Sequence, residues 1–241
     1  MYYDDAYLKE FEAEILKITR HDNRYGVVLD CTAFYPLGGG QPADKGVIKS
    51  EHGEIRVVNV RMEKGAVGHF GDESCGQLAE GDHVKGMIDW TRRFALMRIH
   101  TAAHLMSEAV RKVVGNPLAI VGSGIDVDKA RLDLGYDRSL GPLLLEIEKV
   151  ANHVVKENRQ VEIKIMPREE AENYLARFHE SLKILPPQVQ KVRIVEIKDW
   201  HACACGGIHL KATVEIGAIK VLRRMSKGKG IERIEFTTKT S

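Results

Sequence analysis

The sequence predicts an α+β protein, with a small N-terminal β-barrel domain over residues 1–90 and an α+β domain over residues 91–241 that has an antiparallel sheet and packed helices. Three observations lead to this fold class. Short runs of β-branched or alternating apolar residues fill the first part of the chain. A long amphipathic helical pattern begins at Thr91. Strand-like segments then return after further helical patterns, which is typical of helices packed on one face of a sheet.

The strands of the N-terminal part are predicted from alternating or β-branched apolar positions. They are EAEILKITR, RYGVVLDCTAF, EIRVVNVRM and HVKGMIDW. The breaks between them, DNRYG, PLGGGQPADKG and EHGE, are rich in glycine or aspartate and indicate turns. Short strands at this spacing are typical of a small barrel or a sandwich.

The first helix of the second part is predicted from apolar residues that recur at steps of three and four. They are Leu96, Ile99, Ala103, Met106, Val110 and Val113. Gly115 and Pro117 end this helix. A second helix is predicted over residues 142–157, followed by the strand VEIKIM and by a helix over PREEAENYLARF, which opens with a proline. The later segments VRIVEIK, TVEIGAIKVL and IERIEFTT are strand-like.

Composition excludes several classes of protein. Lysine and arginine number 36 against 34 aspartates and glutamates, so the net charge of +2 excludes a uniformly basic nucleic-acid coat. The N-terminal segment has neither the basic nor the apolar region of a secretory signal, and no apolar run is long enough to cross a bilayer. Four cysteines, two of them at Cys203 and Cys205, do not form a disulfide framework. We therefore expect a soluble, cytoplasmic protein with no membrane partner.

His100 and His104 are the first candidate metal ligands. They are four residues apart on the predicted helix, so both side chains leave from one face, at the edge of the apolar stripe. Such a pair can hold one metal ion without distorting the backbone. The alternative is a pair of partly buried histidines that hydrogen-bond to carbonyl groups.

The segment Cys205-Gly206-Gly207-Ile208-His209 supplies a second pair of candidate ligands. Its two glycines exclude a regular helix, so the segment is predicted to wrap around a point as a loop or strand end. One cysteine and three histidines form a ligand set that zinc prefers, which predicts one Zn²⁺ per chain. A purely structural zinc site is the alternative, because four protein ligands leave no open position. His201 and Cys203 rank lower as ligands because their spacing is tight.

A glycine-rich loop lies between Thr32 and Gly46. Gly38, Gly39 and Gly40 have no Cβ atom, so their N–H groups are accessible to a ligand, and Gln41 adds an amide beside them. The alternative is a simple hairpin turn. The loop is not a P-loop, since no Gly-Lys-Ser/Thr follows.

A basic cluster near the C-terminus is the remaining candidate site. It comprises Lys220, Arg223, Arg224, Lys227, Lys229 and Arg233, and within this stretch of sequence only Glu232 opposes it. Clustered lysine and arginine are typical of contacts to a phosphate backbone. A solvated loop is the alternative.

Together these motifs resemble the AlaX family, the freestanding relatives of the alanyl-tRNA synthetase editing domain. The resemblance rests on TAFYPLGGGQPADKG, RRFALMRIHTAAHL, GSGIDVDKARLDL, LLEIEKVANHVVKENRQVEI, VRIVEIK, ACACGGIH, TVEIGAIK and GIERIEF. The glycine-rich loop is similar to that of the longer members, which keep an N-terminal barrel. One position departs from the family pattern: Ile208 stands where the family usually has threonine. Any substrate contact of that hydroxyl is absent here, whereas metal binding is unaffected.

The resemblance implies a hydrolase that deacylates alanine tRNA mischarged with serine, and also with glycine if its pocket admits it. Zinc held by the four ligands would order the loops and orient the substrate or the attacking water. Activation of a zinc-bound water is less favoured, because four protein ligands leave no open position. The N–H groups of Gly39 and Gly40 would lie near the ester, Gln41 would orient the loop or water, and Thr32 would make a polar contact. Ser123, which lies between two glycines, is a further candidate for contacting the substrate.

The basic cluster would steer the acceptor stem of the tRNA, and the substrate's own ribose hydroxyl would assist because no side chain is a clear general base. Two other functions remain open: a non-catalytic tRNA-binding module with a structural zinc, and a zinc hydrolase of a small ester or amide. The sequence leaves the oligomeric state open, and a monomer is compatible with it.

Overall fold

The computed structural model describes residues 1–21, 24–183, 185–228 and 230–239. The chain divides into two compact units, Met1–Leu96 and Met97–Ser241. The first helix, α1 (Trp90–Val114), begins in the first unit and continues into the second. The boundary predicted after residue 90 coincides with the start of α1 and stays a prediction. Within the described part of the chain, none of the helices is long and apolar enough to span a membrane.

The first unit contains a closed antiparallel barrel with the strand order β1-β2-β5-β4-β3-β6. The strands are β1 (Glu10–His21), β2 (Arg24–Leu29), β3 (Gly46–Lys49), β4 (Gly53–Glu63), β5 (Ala66–Gly76) and β6 (His83–Ile88). Alternation of side chains fills the interior: on β6, Val84 and Ile88 are buried whereas His83 and Lys85 are exposed. The predicted N-terminal barrel is confirmed.

Two barrel strands, β3 and β5, were not predicted. The sequence of β5, AVGHFGDESCG, has no sustained apolar alternation, yet the strand forms because β2 and β4 pair with it on either side. The predicted strand RYGVVLDCTAF ends early, at Leu29. There the Asp30 carboxylate accepts the N–H groups of Glu14, at 2.9 Å, and Cys31, at 2.7 Å, so the chain leaves the sheet.

The second unit contains two antiparallel sheets instead of the single sheet expected. Their strand orders are β11-β10-β9 and β12-β13-β8-β7. The strands are β7 (Ile120–Ile125), β8 (Ala130–Gly135), β9 (Val161–Pro167), β10 (Lys191–Ile197), β11 (His201–Ala204), β12 (Ala218–Ser226) and β13 (Ile231–Lys239). The helices after α1 are α2 (Leu144–Lys156) and α3 (Arg168–Ala176). The α+β class is confirmed.

One predicted strand is partly wrong. In TVEIGAIKVL the first four residues form a 3₁₀ helix, Thr213–Ile216, and the strand begins only at Ala218. Gly217 separates the two with φ of 78°, a backbone conformation that favours glycine. The strands β7, β8 and β11 were not predicted, because each is short and β7 carries two glycines.

Candidate metal centre

The side chains of four predicted ligands gather in the second unit. The donor atoms of His100, His104, Cys205 and His209 all lie within 4.8 Å of one another. Cys205 Sγ is 3.3 Å from His209 Nε2 and 3.5 Å from His100 Nε2. The three imidazole rings have centroids 4.3–5.2 Å apart. The structure therefore brings together, around one point, residues that are about a hundred positions apart in sequence.

Local structure explains how each pair reaches this point. His100 and His104 are one helical turn apart on α1, in a stretch of the helix that is buried nearly all round. Cys205 directly follows β11, which pairs with β10. The glycines after Cys205 let the chain turn back so that His209 faces the same point, and the Gly207 N–H donates to Cys205 Sγ at 3.3 Å.

Arg193 on β10 fixes the loop between Cys205 and His209. Its Nη1 donates to the carbonyl oxygens of Cys205, at 2.8 Å, and Gly207, at 2.9 Å. A hydrogen bond from a charged donor is stronger than one between neutral groups, so this pair of contacts sets the position of both loop ligands. The sequence offered no signal for this role, because Arg193 lies on a strand twelve residues before Cys205.

Thr101 orients the ring of His209. Its hydroxyl oxygen lies 3.2 Å from His209 Nδ1 and accepts the N–H of Leu210 at 3.1 Å. A histidine that binds a metal through Nε2 carries its proton on Nδ1, which here donates to Thr101. Thr101 is fully buried, so this contact is shielded from water. Thr101 sits directly after His100, and sequence reasoning missed it.

Burial keeps the histidines neutral, the form in which imidazole binds metals. Burial is the main cause that lowers the pKa of His104 to about 4, with the charge of Arg193 adding to it. Burial likewise lowers the pKa of His100 and His209 well below the ordinary value. Burial raises the pKa of the Cys205 thiol, while the Gly207 N–H and Arg193 act in the opposite direction. A bound cation is what converts such a thiol to the thiolate.

The residues fit a zinc ion. A tetrahedral zinc, with Zn–N bonds of about 2.0–2.1 Å and a Zn–S bond of about 2.3 Å, places neighbouring ligand atoms about 3.3–3.6 Å apart. The distances of 3.3 and 3.5 Å from Cys205 Sγ to the two Nε2 atoms match this range. One sulfur and three imidazole nitrogens are also the donors that zinc prefers over hard cations.

The glycine-rich loop is a tight turn in the first unit. Gly38 and Gln41 exchange backbone hydrogen bonds of 2.9 and 3.3 Å, and the central residues Gly39 and Gly40 have φ of 58° and 78°. Positive φ at both central positions is the pattern of a type I′ turn. Both glycines are exposed, and within the described residues their N–H groups have no acceptor, whereas Gln41 is fully buried.

A buried ion pair anchors this loop. Arg93, near the start of α1, forms a salt bridge with Asp44, and both side chains are fully buried. Asp44 Oδ2 also accepts a hydrogen bond from the N–H of Tyr35 at 2.6 Å, so the two ends of the loop are held together. Arg93 also donates to the carbonyl oxygen of Ala6 at 2.9 Å. Asp44 belongs to the loop motif, but nothing in the sequence paired it with Arg93.

Thr32, at the start of the loop, belongs to a buried hydrogen-bond chain. His69 Nδ1 is 3.0 Å from the carbonyl oxygen of Val27, which can only accept, so Nδ1 carries the proton. His69 Nε2 therefore accepts the hydroxyl proton of Thr32 at 2.8 Å, and the Thr32 oxygen accepts the N–H of Phe34 at 3.1 Å. These bonds give Thr32 a positioning role, while its contact with a substrate stays a prediction.

Ile208 and Ser123 have opposite environments. Ile208, at the position where a threonine was expected, is fully buried. Ser123 is exposed and lies on β7, the last strand of its sheet, paired with Leu132. The proposed substrate contact of Ser123 stays a prediction.

The basic cluster lies on β12 and β13, and it is opposed by more acidic groups than the sequence suggested. Instead of Glu232 alone, four carboxylates pair with it, because strand pairing and α2 bring distant residues next to it. The ion pairs are Lys220–Glu148 at 2.8 Å, Arg223–Glu235 at 2.7 Å, Arg224–Glu232 at 2.5 Å and Arg233–Asp133 at 2.6 Å. Among the described residues Lys227 has no carboxylate within 4 Å, although its charge helps to lower the pKa of Asp133, and Lys229 lies outside the described residues.

Both parts of the chain are similar to known protein families. Residues 6–92 match the family model of class II (A) tRNA synthetases, and residues 192–235 match that of the threonyl and alanyl tRNA synthetase second additional domain. The alanyl-tRNA editing proteins AlaX-M of Methanosarcina acetivorans and Methanosarcina barkeri are 41% and 39% identical, over 98% of this chain and 97% of theirs. The alanine–tRNA ligase of Pyrococcus abyssi is 42% identical over 98% of this chain, which spans 25% of the ligase. The chain therefore belongs to the AlaX-M family of alanyl-tRNA editing proteins.

Proposed function

We propose that this chain is an aminoacyl-tRNA deacylase that removes serine from mischarged alanine tRNA. The observation that carries the proposal is the cluster of His100, His104, Cys205 and His209, whose donor atoms lie within 4.8 Å, in a chain similar over nearly its whole length to alanyl-tRNA editing proteins. A pocket built for alanine cannot strongly reject a serine that merely adds a hydroxyl, so a second, hydrolytic site is needed for fidelity.

The reaction is the hydrolysis of an ester. Water attacks the aminoacyl carbonyl carbon, the carbonyl oxygen becomes an oxyanion, and the ribose oxygen leaves with a proton to give free serine and intact tRNA. The site must therefore orient a water and stabilise negative charge on the carbonyl oxygen. The four ligands are buried or nearly so, which excludes bulk water from their surroundings.

His100, His104, Cys205 and His209 would hold the zinc ion, and a bound zinc supplies a Lewis acid that polarises or orients an oxygen ligand. Arg193 and Thr101 hold the loop and the ring of His209 in the positions found here. Backbone N–H groups that have no acceptor in the described part of the chain are suitable donors to an oxyanion, and we assign this role to Gly39 and Gly40. With no free general base among these residues, the ribose hydroxyl next to the ester is the proposed proton carrier.

The primary test compares deacylation of serine-charged and alanine-charged alanine tRNA, before and after treatment with a chelator. We expect fast loss of serine, slow loss of alanine, and loss of the activity on chelation with recovery when zinc is added back. Glycine-charged alanine tRNA in the same assay defines the substrate range. Serine release that is equally fast after complete metal removal would contradict the metal's part in the proposal.

Gln41 tests the role of the loop separately. Gln41→Ala should lower the rate of serine release at least about tenfold, which corresponds to about 1.4 kcal/mol of the activation barrier, while one zinc per chain is retained. Gln77→Ala, which removes an exposed glutamine of the same unit, is the matched control. Equal rates for the two variants would remove Gln41 from the mechanism.

We also propose that alanine tRNA is bound in part by the basic cluster. Lys227 is the most informative position, because the other described cations of the cluster are paired with carboxylates. Lys227→Ala should weaken tRNA binding and reduce the slope of log affinity against log salt by about 1, which is the effect of one lost phosphate contact. Lys183→Ala, at an exposed lysine outside the cluster, should leave the slope unchanged.

A non-catalytic tRNA-binding module is the second candidate function. The observation that favours it is the ligand count, since four protein ligands close a zinc site. Tight binding of alanine tRNA, with one zinc per chain and no release of serine, would support this candidate and reject deacylation.

A further inference from the structure

A second group of potential metal ligands lies beside the first. The donor atoms of His104, His201 and Cys203 are also within 4.8 Å of one another. Cys203 Sγ is 3.5 Å from His104 Nδ1 and 3.9 Å from His104 Nε2. The rings of His104 and His201 have centroids 5.9 Å apart. His201 and Cys203 do not belong to the cluster already described. Their tight spacing in the sequence makes them weaker candidates than its four residues.

Strand geometry explains why that spacing is suitable. In the sequence HACAC, from His201 to Cys205, histidine and cysteine residues alternate with alanines. Successive residues of a strand point to opposite faces, so His201 and Cys203 on β11 share one face. Ala202 and Ala204 point to the other face and pack in the apolar core of the sheet. Two residues along a strand span about 6.6 Å, which is room enough for neighbouring ligands.

The environment of His201 also points to a ligand. Only 2% of its surface is exposed, and its Nδ1 atom is buried without a hydrogen-bond partner among the described residues. Buried polar atoms of this kind are uncommon in native structures and call for an explanation. The nearest opposite charge is Glu108 Oε2, 3.8 Å from Nδ1. Glu108 lies one helical turn after His104 on α1, and its carboxylate also contacts Arg111 Nη1 at 3.6 Å and Lys112 Nζ at 3.7 Å.

We propose that His104, His201 and Cys203 form a second binding position for a zinc-class cation. One thiolate and two imidazoles, with a carboxylate nearby, are soft or borderline donors that suit zinc and not magnesium or calcium. Both positions use His104, and a neutral imidazole has a single lone pair for a metal. The two positions are therefore alternatives: an ion that moves to the second one leaves His100, Cys205 and His209 as a three-ligand site. This inference does not depend on the proposed deacylation.

The test disables the first position and looks for a thiolate bound to metal at the second, with Co²⁺ as the probe. A cobalt–thiolate bond gives an intense near-ultraviolet charge-transfer absorption, and Cys205 is the only thiol of the first position. Cys205→Ser should still bind one Co²⁺ per chain, more weakly than the unmodified protein, and should retain a thiolate absorption. Adding Cys203→Ser to this variant should abolish that absorption.

Controls separate the second position from adventitious thiol binding. Adding Cys75→Ser, at an exposed cysteine outside both clusters, should leave the absorption of the Cys205→Ser chain unchanged. Adding His201→Ala should raise the Kd for Co²⁺ at least tenfold. A folded Cys205→Ser chain that binds no Co²⁺, or binds it without a thiolate absorption, would overturn the proposal.

Circular dichroism establishes whether the variants fold, and Cys205→Ala replaces Cys205→Ser if the latter does not.

A further measurement leaves the first position intact. If an ion leaves through the second position, Cys203→Ser should slow the transfer of zinc to excess chelator several-fold. An unchanged transfer rate would count against the proposal, and the Cys75→Ser chain provides the reference rate.

Discussion

Arg193 shapes the candidate metal centre without being one of its four candidate ligands. Its two hydrogen bonds to the carbonyls of Cys205 and Gly207 hold the loop that brings Cys205 next to His209. Contacts of this kind to groups around a metal typically change metal affinity by about 10–100-fold when removed.

Arg193→Ala is therefore expected to weaken zinc binding by about 10–100-fold while the fold is retained. Competition with a chromophoric chelator measures the affinity, and circular dichroism checks the fold. Arg177→Ala is the control. Arg177 is exposed and directly follows α3, so this variant should bind zinc as the unmodified protein does. Unchanged affinity in Arg193→Ala would mean that the loop holds its position without the arginine.

His69 makes the stability of the protein depend on pH. Burial lowers its pKa to about 4, from about 6.5 in the unfolded chain, and the hydrogen bond to the carbonyl of Val27 only partly opposes this. Between these two pH values the unfolded state binds more protons, so the free energy of unfolding rises with pH. The full contribution is present above pH 6.5 and is lost as the pH falls towards 4.

Relative to a His69→Gln chain, which cannot gain this proton, we expect the unmodified protein to lose up to about 3 kcal/mol of stability between pH 6.5 and 4. Urea unfolding of both chains at several pH values measures the difference. The histidines of the metal centre are the same in both chains, so their contribution cancels. Parallel pH profiles for the two chains would show that His69 titrates normally.

At the scale of elements, the turn from Gly38 to Gln41 has a conformation that depends on particular glycines. Gly40 has φ of 78°, yet a Cβ atom added there would meet nothing within 4 Å. Any cost of a side chain at Gly40 therefore comes from the backbone and not from a steric clash.

Gly40→Ala should lower the free energy of unfolding by about 1–2 kcal/mol, the cost of a left-handed conformation for a residue with a Cβ atom. Gly40→Asn should cost less, because asparagine tolerates this conformation. Gly38→Ala is the control: Gly38 is not among the residues with positive φ, and the nearest atom to an added Cβ is 3.9 Å away. Equal losses at positions 38 and 40 would contradict this explanation.

Elements with a strong periodic signal were predicted from sequence, and elements that depend on their neighbours were not. The helix α1 was predicted because its apolar stripe recurs at helical spacing over many residues, and the same spacing placed His100 and His104 on one face. The strand β5 gave no such signal, since pairing on both sides determines its structure. Taken alone, its glycines and charged residues are typical of a loop.

The same division applies to the candidate site. His100, His104, Cys205 and His209 could be found because each pair has a short, recognisable spacing. The contact between Arg93 and Asp44 joins residues 49 positions apart, and no local pattern signals it. His201 and Cys203 did have a local signal, the alternation with alanine in HACAC. Along an extended strand this alternation places both side chains on one face, although the two residues are close in sequence.

At the scale of the whole molecule, the candidate metal ligands all belong to one of the two compact units, residues 97–241. A cation that binds only the folded state stabilises it by about 2.7 kcal/mol at a hundred times its Kd. Each unit has one tryptophan, Trp90 in the first and Trp200 in the second, where Trp200 Nε1 donates to the carbonyl oxygen of Leu105 at 3.2 Å.

We therefore expect metal removal to lower the unfolding temperature reported by Trp200 by roughly 5–10 °C and to change that reported by Trp90 less. Fluorescence of a Trp90→Phe chain follows the second unit, and that of a Trp200→Phe chain follows the first. Identical shifts for both reporters would show that the two units unfold as one cooperative body.

The position of the basic cluster has a consequence for aggregation. The strand β12 is the last of its sheet, and α2 covers part of its outer edge. Asn152 bonds both backbone groups of Ile219, at 2.8 and 2.9 Å, and Glu148 accepts the N–H of Val221 at 2.7 Å. Lys220, Arg223 and Arg224 lie along this strand, and Lys220 and Arg223 are more than half exposed. A strand of another molecule would have to displace the contacts with α2 before it could pair with this part of β12. The cover that α2 provides thus works against edge-to-edge association of neighbouring molecules in a crowded solution, whether or not the basic residues of β12 touch a nucleic acid.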